Sequence, residues 1–193
     1  MAKKWINKNL PGALHFVTGN VNKRQPIFQQ EASCLAFLEE LQNLRAKHKR
    51  RIIAFVLMPD HIHFIANPHD GKIREFTGGL KSSAARRLIE LAPEKFIKNE
   101  NENQVWQESF KALPLWSNWM IWQKINYIHN NPLKAKLCNS VKDYRWSSFR
   151  SFYKMDCEEL LQVDQDWWQE DDVRKLSESM AEWNDETAEK YKK

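Results

Sequence analysis

No stretch of the chain is apolar enough to cross a bilayer. The longest purely apolar run, Ile52 to Met58, falls far short of the roughly 20 residues a spanning helix needs. Cysteine is scarce too. Cys34, Cys138 and Cys157 are odd in number, widely spaced and nowhere arranged as C-x-x-C, so neither a zinc signature nor a disulfide framework is expected, and a reducing cytoplasm suits them. The first eight residues carry charge with no apolar segment behind them, so no signal peptide is expected. Internal repeats and long low-complexity segments are also missing. What remains is a chain of 193 residues with an ordinary hydrophobic content of 42%, enough for one domain with a core and an appendage.

The net charge of +5 conceals an asymmetry. Residues 151–193 hold six Lys/Arg against thirteen Asp/Glu, whereas residues 1–150 hold 24 against 12. A basic body with an acidic tail suits a polyanionic partner, with the tail able to cover the basic surface when that partner is absent. The plainer alternative is two solvated surfaces. The expected division is a domain over 1–150 and an acidic, mostly helical extension over 151–193.

Along the chain, Leu14 to Thr18 reads as a strand between Pro11-Gly12 and Gly19-Asn20. Leu35, Leu38, Leu41 and Leu44 recur at helical spacing from about Ala32 to His48. Ile52 to Met58 reads as a buried central strand, Pro59-Asp60 as a tight break, and His61 to Ala66 as its hairpin partner. A helix is expected from about Lys72 to Leu91, interrupted in composition by Gly78-Gly79, which suggest a kink, a helix start or close passage of a ligand. Val105 to Phe110 is a further candidate strand, and Trp116 to Asn131 a helix stopped by Pro132. This order predicts an α+β fold, a ferredoxin-like or RRM-like antiparallel sheet with helices packed on it. Such folds host many functions, so the site must decide.

In a strand, His61 and His63 project to one face while Ile62 and Phe64 project to the other. Two imidazoles on an otherwise apolar strand are costly to bury unless they bind something, and neutral imidazole is a general ligand for divalent metals. Ordinary hydrogen-bonded histidines remain the alternative. On the last helix, Ile121, Ile125 and Ile128 share a narrow apolar arc. Tyr127 falls roughly 130° from its centre, with Lys124 and Asn131 on the same flank. A tyrosine there can pack its ring and still offer its hydroxyl to a ligand. Asn131, one turn later, can point its amide to the same place, while His129 faces elsewhere. A half-buried structural tyrosine is the rival reading.

Met58-Pro59-Asp60-His61-Ile62-His63-Phe64 followed by Tyr127-Ile128-His129-Asn130-Asn131-Pro132 resembles the REP-associated tyrosine transposases, bacterial relatives of the single-tyrosine HUH transposases. Gly12 to Thr18, Leu80 to Arg86, Val105-Trp106-Gln107 and Asp143 to Ser148 agree in order, so the resemblance covers about residues 12–150. Gly78-Gly79 and the tryptophan-rich acidic tail have no counterpart in it. The resemblance implies that His61, His63 and Asn131 bind a divalent cation, Mg²⁺ or Mn²⁺. It also implies that Tyr127 attacks a phosphate in single-stranded DNA beside a hairpin, leaving a 5′-phosphotyrosine and a free 3′-hydroxyl. A phenol, with an ordinary pKa of about 10, needs help to ionise, and a metal on the phosphate oxygens would stabilise the developing charge. The covalent link would conserve the phosphodiester energy for rejoining. The family's usual substrates are repetitive extragenic palindromes, and relatives often dimerise, although no interface is legible here.

Lys81, Arg86 and Arg87 on the second helix, Lys23 and Arg24 after the first strand, and Lys124 beside the tyrosine are candidate phosphate contacts. Of the nine tryptophans, Trp106, Trp122 and Trp146 are assigned to the core, and others are free to stack on unpaired bases. Tyr144, Tyr153 and Tyr191 are rival nucleophiles without an amide one turn away. Two rival functions stand beside strand transfer: a regulator that binds DNA hairpins without cutting, and a metal phosphodiesterase that leaves no covalent adduct.

Overall fold

The computed structural model describes residues 7–48, 50–68, 71–96, 104–156, 158 and 160–166. Its elements are β1 (Leu14–Asn20), α1 (Glu31–His48), β2 (Arg51–Met58), β3 (His61–Asn67), α2 (Ile73–Leu91), the single turn α3 (Pro93–Phe96), β4 (Lys111–Leu115), α4 (Asn118–Lys134) and the short α5 (Phe149–Phe152). The strands pair antiparallel in the order β2-β3-β1-β4, the ferredoxin-like connectivity expected from the element order.

Strand alternation sorts the apolar residues onto two faces. On one, Val17, Leu57, Ile62 and Phe64 pack with Phe37 and Leu41 of α1 and Phe76 and Leu80 of α2. On the other, Leu14, Val56, Met58 and Ile65 pack with Ile121, Ile125 and Ile128 of α4. Because helices cover both faces, β2 is buried along nearly its whole length, which is why Ile52 to Met58 reads as an unbroken apolar run.

That run is not a central strand, however. β2 lies at the end of the ladder, and its outer edge is closed by other backbone. Leu57 N donates to Trp146 O at 2.9 Å, Ser148 N to Phe55 O at 3.0 Å and Asp164 N to Ile52 O at 2.7 Å. The fully buried Ser148 adds its hydroxyl, which accepts from Phe55 N at 2.9 Å. An edge sealed in this way needs no charged or proline guard.

Three further expectations shift. The fourth strand is Lys111–Leu115, not Val105 to Phe110. Val105 and Trp106 are buried, but they make only an isolated bridge to Val21, and the Trp106 indole N–H donates to Lys81 O at 2.9 Å. Pro114 is tolerated in β4 because that strand is the sheet's other edge. Pro132 lies inside α4 instead of stopping it. It forfeits one hydrogen bond within the last turn, where Ala135 N still reaches Asn131 O and Leu137 N reaches Pro132 O. Finally, α2 runs unbroken through Gly78-Gly79, and a Cβ at either would meet nothing within 4 Å, so neither a helix start nor packing explains the pair.

After residue 150 the described chain continues into the body's core. Phe152 and Leu161 are buried, and Asp164 accepts from Arg45 at 2.7 Å and from Ile52 N at 2.9 Å. Most of the acidic extension, residues 167–193, lies outside the described residues.

Two histidines are structural parts of this core. Burial holds His15 and His129 down to a pKa of about 4, far below the ordinary 6.5. As the pH falls through about 6.5 the unfolded chain takes up these protons first, so stability is lost from there down to about pH 4. The melting temperature is therefore expected to fall between pH 7 and pH 5; a level or rising Tm across that interval would contradict the burial of neutral imidazoles.

Candidate active site

The β1–β3 register sets Thr18 opposite His63 and Asn20 opposite His61. Both histidines share the sheet face with Ile65, the face that α4 covers, while Ile62 and Phe64 enter the opposite core. Ile121, Ile125 and Ile128 seat α4 on the sheet, and this brings Tyr127 on its flank over His63, with ring centroids 5.3 Å apart and planes at 72°. His61 lies 4.9 Å from His63, ring to ring. Phe16 of β1 completes the group, stacked on His63 at 5.3 Å and edge-on to Tyr127 at 5.7 Å. Each such aromatic pair contributes about 0.5–1.5 kcal/mol. Tyr127 nonetheless remains 39% exposed. The involvement of Phe16 and Thr18 was missed in the sequence; the signal was available in their alternation with Leu14 along β1.

Each histidine commits one ring nitrogen to an oxygen. His63 Nδ1 is 2.9 Å from Thr18 Oγ1, and His61 Nδ1 is 2.5 Å from Asp60 Oδ1. Arg24 holds the same Asp60 carboxylate at 3.3 Å. His63 Nε2 is enclosed with no hydrogen-bond partner among the described residues. Burial, reinforced by His61, Arg24 and Lys124, pushes the His63 pKa down to about 3, so its ring is neutral at physiological pH.

One nitrogen oriented by an oxygen and the other free to ligate is the arrangement of a metal-binding histidine. Among the described residues no cluster of three or more His, Cys, Asp and Glu is present, so a third protein ligand would have to come from another side chain. Asn131, one turn beyond Tyr127, is half-buried; its Nδ2 has no partner, but that nitrogen is a donor, and only the amide oxygen could serve a cation. The two imidazoles suit a divalent cation, and the Asn131 oxygen is the candidate third donor.

The remaining candidates separate. Lys124 Nζ lies 5.1 Å from the Phe16 ring centre and 5.7 Å from that of Tyr127, and Lys134, not foreseen, lies 5.9 Å from Tyr127. Arg24, beside Lys23 in a turn where both have positive φ, reaches the site through Asp60. Arg87 pairs with Glu39 at 2.6 Å on the surface, and Arg86 is exposed. Lys81 is turned inward: its ammonium donates to Gln107 O at 2.7 Å and Glu108 O at 3.4 Å, and burial lowers its pKa. His129 points away from the site to Ser148 Oγ at 3.0 Å.

Of the rival nucleophiles, Tyr144 donates its hydroxyl to Leu57 O at 2.7 Å, Tyr153 packs against Phe149 and His129, and Tyr191 lies outside the described residues. Trp106 is core as expected, whereas Trp146, also expected in the core, is half-buried and packs against it. Trp122 is not core: its ring touches Phe152 edge-on but stays 42% exposed, because its position on α4 lies beyond the apolar arc.

The sequence profile of the family described as "Transposase IS200 like" matches residues 12–131, a span that contains β1, both histidines, Tyr127 and Asn131. No curated protein matches the chain. Among solved structures, a REP-associated tyrosine transposase bound to a REP hairpin superposes with a TM-score of 0.64 at 18% identity, over 84% of this chain and 92% of that one. A candidate transposase from Deinococcus radiodurans reaches 0.46 at 20% identity, over 67% of this chain and 95% of that one. The first of these likenesses establishes a shared fold.

Lys81 and Arg86, neighbours on α2, are expected to behave differently when mutated. Lys81→Met leaves two loop carbonyls without their donor and should cost about 1–3 kcal/mol, read as a lower urea midpoint. Arg86→Ala should leave the midpoint unchanged. Equal midpoints for both variants would show that the Lys81 contacts do not hold the loop.

Proposed function

The chain belongs to the IS200-like transposases, and from that premise we propose that it nicks and rejoins single-stranded DNA beside hairpins of the repetitive-palindrome type, with Tyr127 as the nucleophile. The observation that carries this reading is the meeting of Tyr127, His61 and His63 on one sheet face, with His63 Nε2 enclosed and partnerless. The hairpin bound by the structural relative supports the choice of DNA form.

In the proposed reaction Tyr127 Oη bonds to the scissile phosphorus, the bond to the 3′ oxygen breaks, and a 5′-phosphotyrosine and a 3′-hydroxyl result. Attack by that hydroxyl reverses the step and needs no nucleotide cofactor. Phe16 and His63, stacked on each other, both pack edge-on to the Tyr127 ring, which restricts the direction of its hydroxyl. Lys124 and Lys134 place positive charge beside that ring, where a phosphate and a developing phenolate would both gain from it. Thr18 and Asp60 fix the orientation of the two imidazoles. His61, His63 and Asn131 would hold Mg²⁺ or Mn²⁺, which when bound supplies Lewis-acid stabilisation of charge on the phosphate oxygens.

Incubation with a labelled hairpin oligonucleotide and Mn²⁺ should yield an adduct that survives denaturing electrophoresis. Tyr127→Phe should abolish it while hairpin affinity stays within about twofold, and EDTA should suppress it. An adduct formed by the Phe variant would remove Tyr127 from the chemistry. Cleavage without any adduct would favour a phosphodiesterase, and binding without cleavage a regulator.

A further inference from the structure

α4 turns Ile121, Ile125 and Ile128 into the core and leaves its other side to solvent. On that outward side stands Trp119, 70% exposed, the most exposed large apolar side chain among the described residues. Trp116, 36% exposed, precedes the helix's Ser117 N-cap. An indole is a large apolar surface, and the fold gains little from one left in water.

Position and charge say what covers it. Trp119, Gln123, Tyr127 and Asn131 recur every four residues and form one ridge of the helix. Trp119 therefore sits two turns, about 12 Å, before Tyr127, a span of three or four stacked nucleotides. Between Glu108 and Asp143 the chain has no Asp or Glu and carries Lys111, Lys124, Lys134, Lys136 and Lys142. An exposed aromatic on the same helix ridge as Tyr127, with Lys124 and Lys134 beside that tyrosine, matches a strand offering both phosphates and unpaired bases.

We propose that the outward face of α4 is a stacking platform for unpaired bases of the single strand flanking the hairpin, with Trp119 as its principal plane. The platform rests on the DNA-processing function proposed above and extends it from the scissile phosphate to the bases beside it. It recognises bases by their π-faces and so is tolerant of sequence, leaving discrimination to other contacts.

The full-length protein can be tested with labelled hairpin oligonucleotides that are blunt or that carry a single-stranded extension on either side. Trp119→Ala should bind an extended hairpin roughly 5- to 150-fold more weakly than wild type, the range expected for losing one stacked base. Affinity for the blunt hairpin should not change, and Trp119→Phe should recover much of the loss. The salt dependence should keep its slope, since no charge is removed. Unchanged affinity of Trp119→Ala for every extended hairpin overturns the platform, as does an equal loss on blunt and extended hairpins. A drop in sedimentation coefficient without a DNA effect also overturns it, assigning the face to a second copy of this chain. Failure of wild type to bind any hairpin would sink the DNA-processing reading and the platform with it, whereas wild-type binding with a silent Trp119→Ala sinks the platform alone.

Discussion

The antiparallel register between β1 and β3 is the constraint on which the candidate site depends. It sets Thr18 across from His63 and Asn20 across from His61, and it assigns both imidazoles to the face covered by α4. A slip of one residue would send His61 and His63 into the α1–α2 core and bring Ile62 and Phe64 toward Tyr127. Two-sided burial makes that slip costly, because each face already has its own apolar set. The β2–β3 turn is anchored as well: Val21 N donates to Asp60 O at 2.9 Å and Phe28 N to Pro59 O at 3.0 Å. Asp60 is thereby fixed at the point where its carboxylate meets both His61 and Arg24.

From this register the electrostatics of the site follow. His63 is enclosed among Phe16, Tyr127 and His61 with cations around it, and in that setting its neutral form wins. A neutral ring with one nitrogen tied to Thr18 and the other partnerless is an expensive thing to bury unless a ligand repays it. His15 and His129 are buried and neutral too, each with one partnerless ring nitrogen, and His129 packs on the Tyr153 ring, but neither has a second imidazole beside it in the observed contacts. The contrast separates structural histidines from candidate ligands by company more than by burial.

Much of the fold was legible because its signals are local. The period of two over His61 to Ala66 and the isoleucine arc of α4 each follow from backbone geometry, and both fixed faces correctly. What was illegible depends on contacts distant in sequence. β2 reads as central because its edge is closed by residues 146–148 and 164, about ninety or more positions away. Val105-Trp106 has strand-like residues, yet its hydrogen bonds go to α2 and the Val21 region, and Lys111–Leu115 takes the sheet edge instead. Lys81 has the same charge and helix as Arg86 and Arg87, and only the loop carbonyls above it turn it inward. Trp122 is a large apolar side chain that suits a core, yet helix phase puts it at the rim.

The central claim is that Tyr127 joins covalently to a DNA 5′ phosphate at a site organised by His61 and His63. Its most direct measurement is mass spectrometry of the protein after reaction with a hairpin oligonucleotide and digestion with nuclease and protease. A nucleotide remnant on the peptide containing Tyr127, absent when His63 is replaced by alanine, is the predicted result. A remnant on Tyr144 or Tyr153, or cleaved DNA with every tyrosine peptide unmodified, would contradict it.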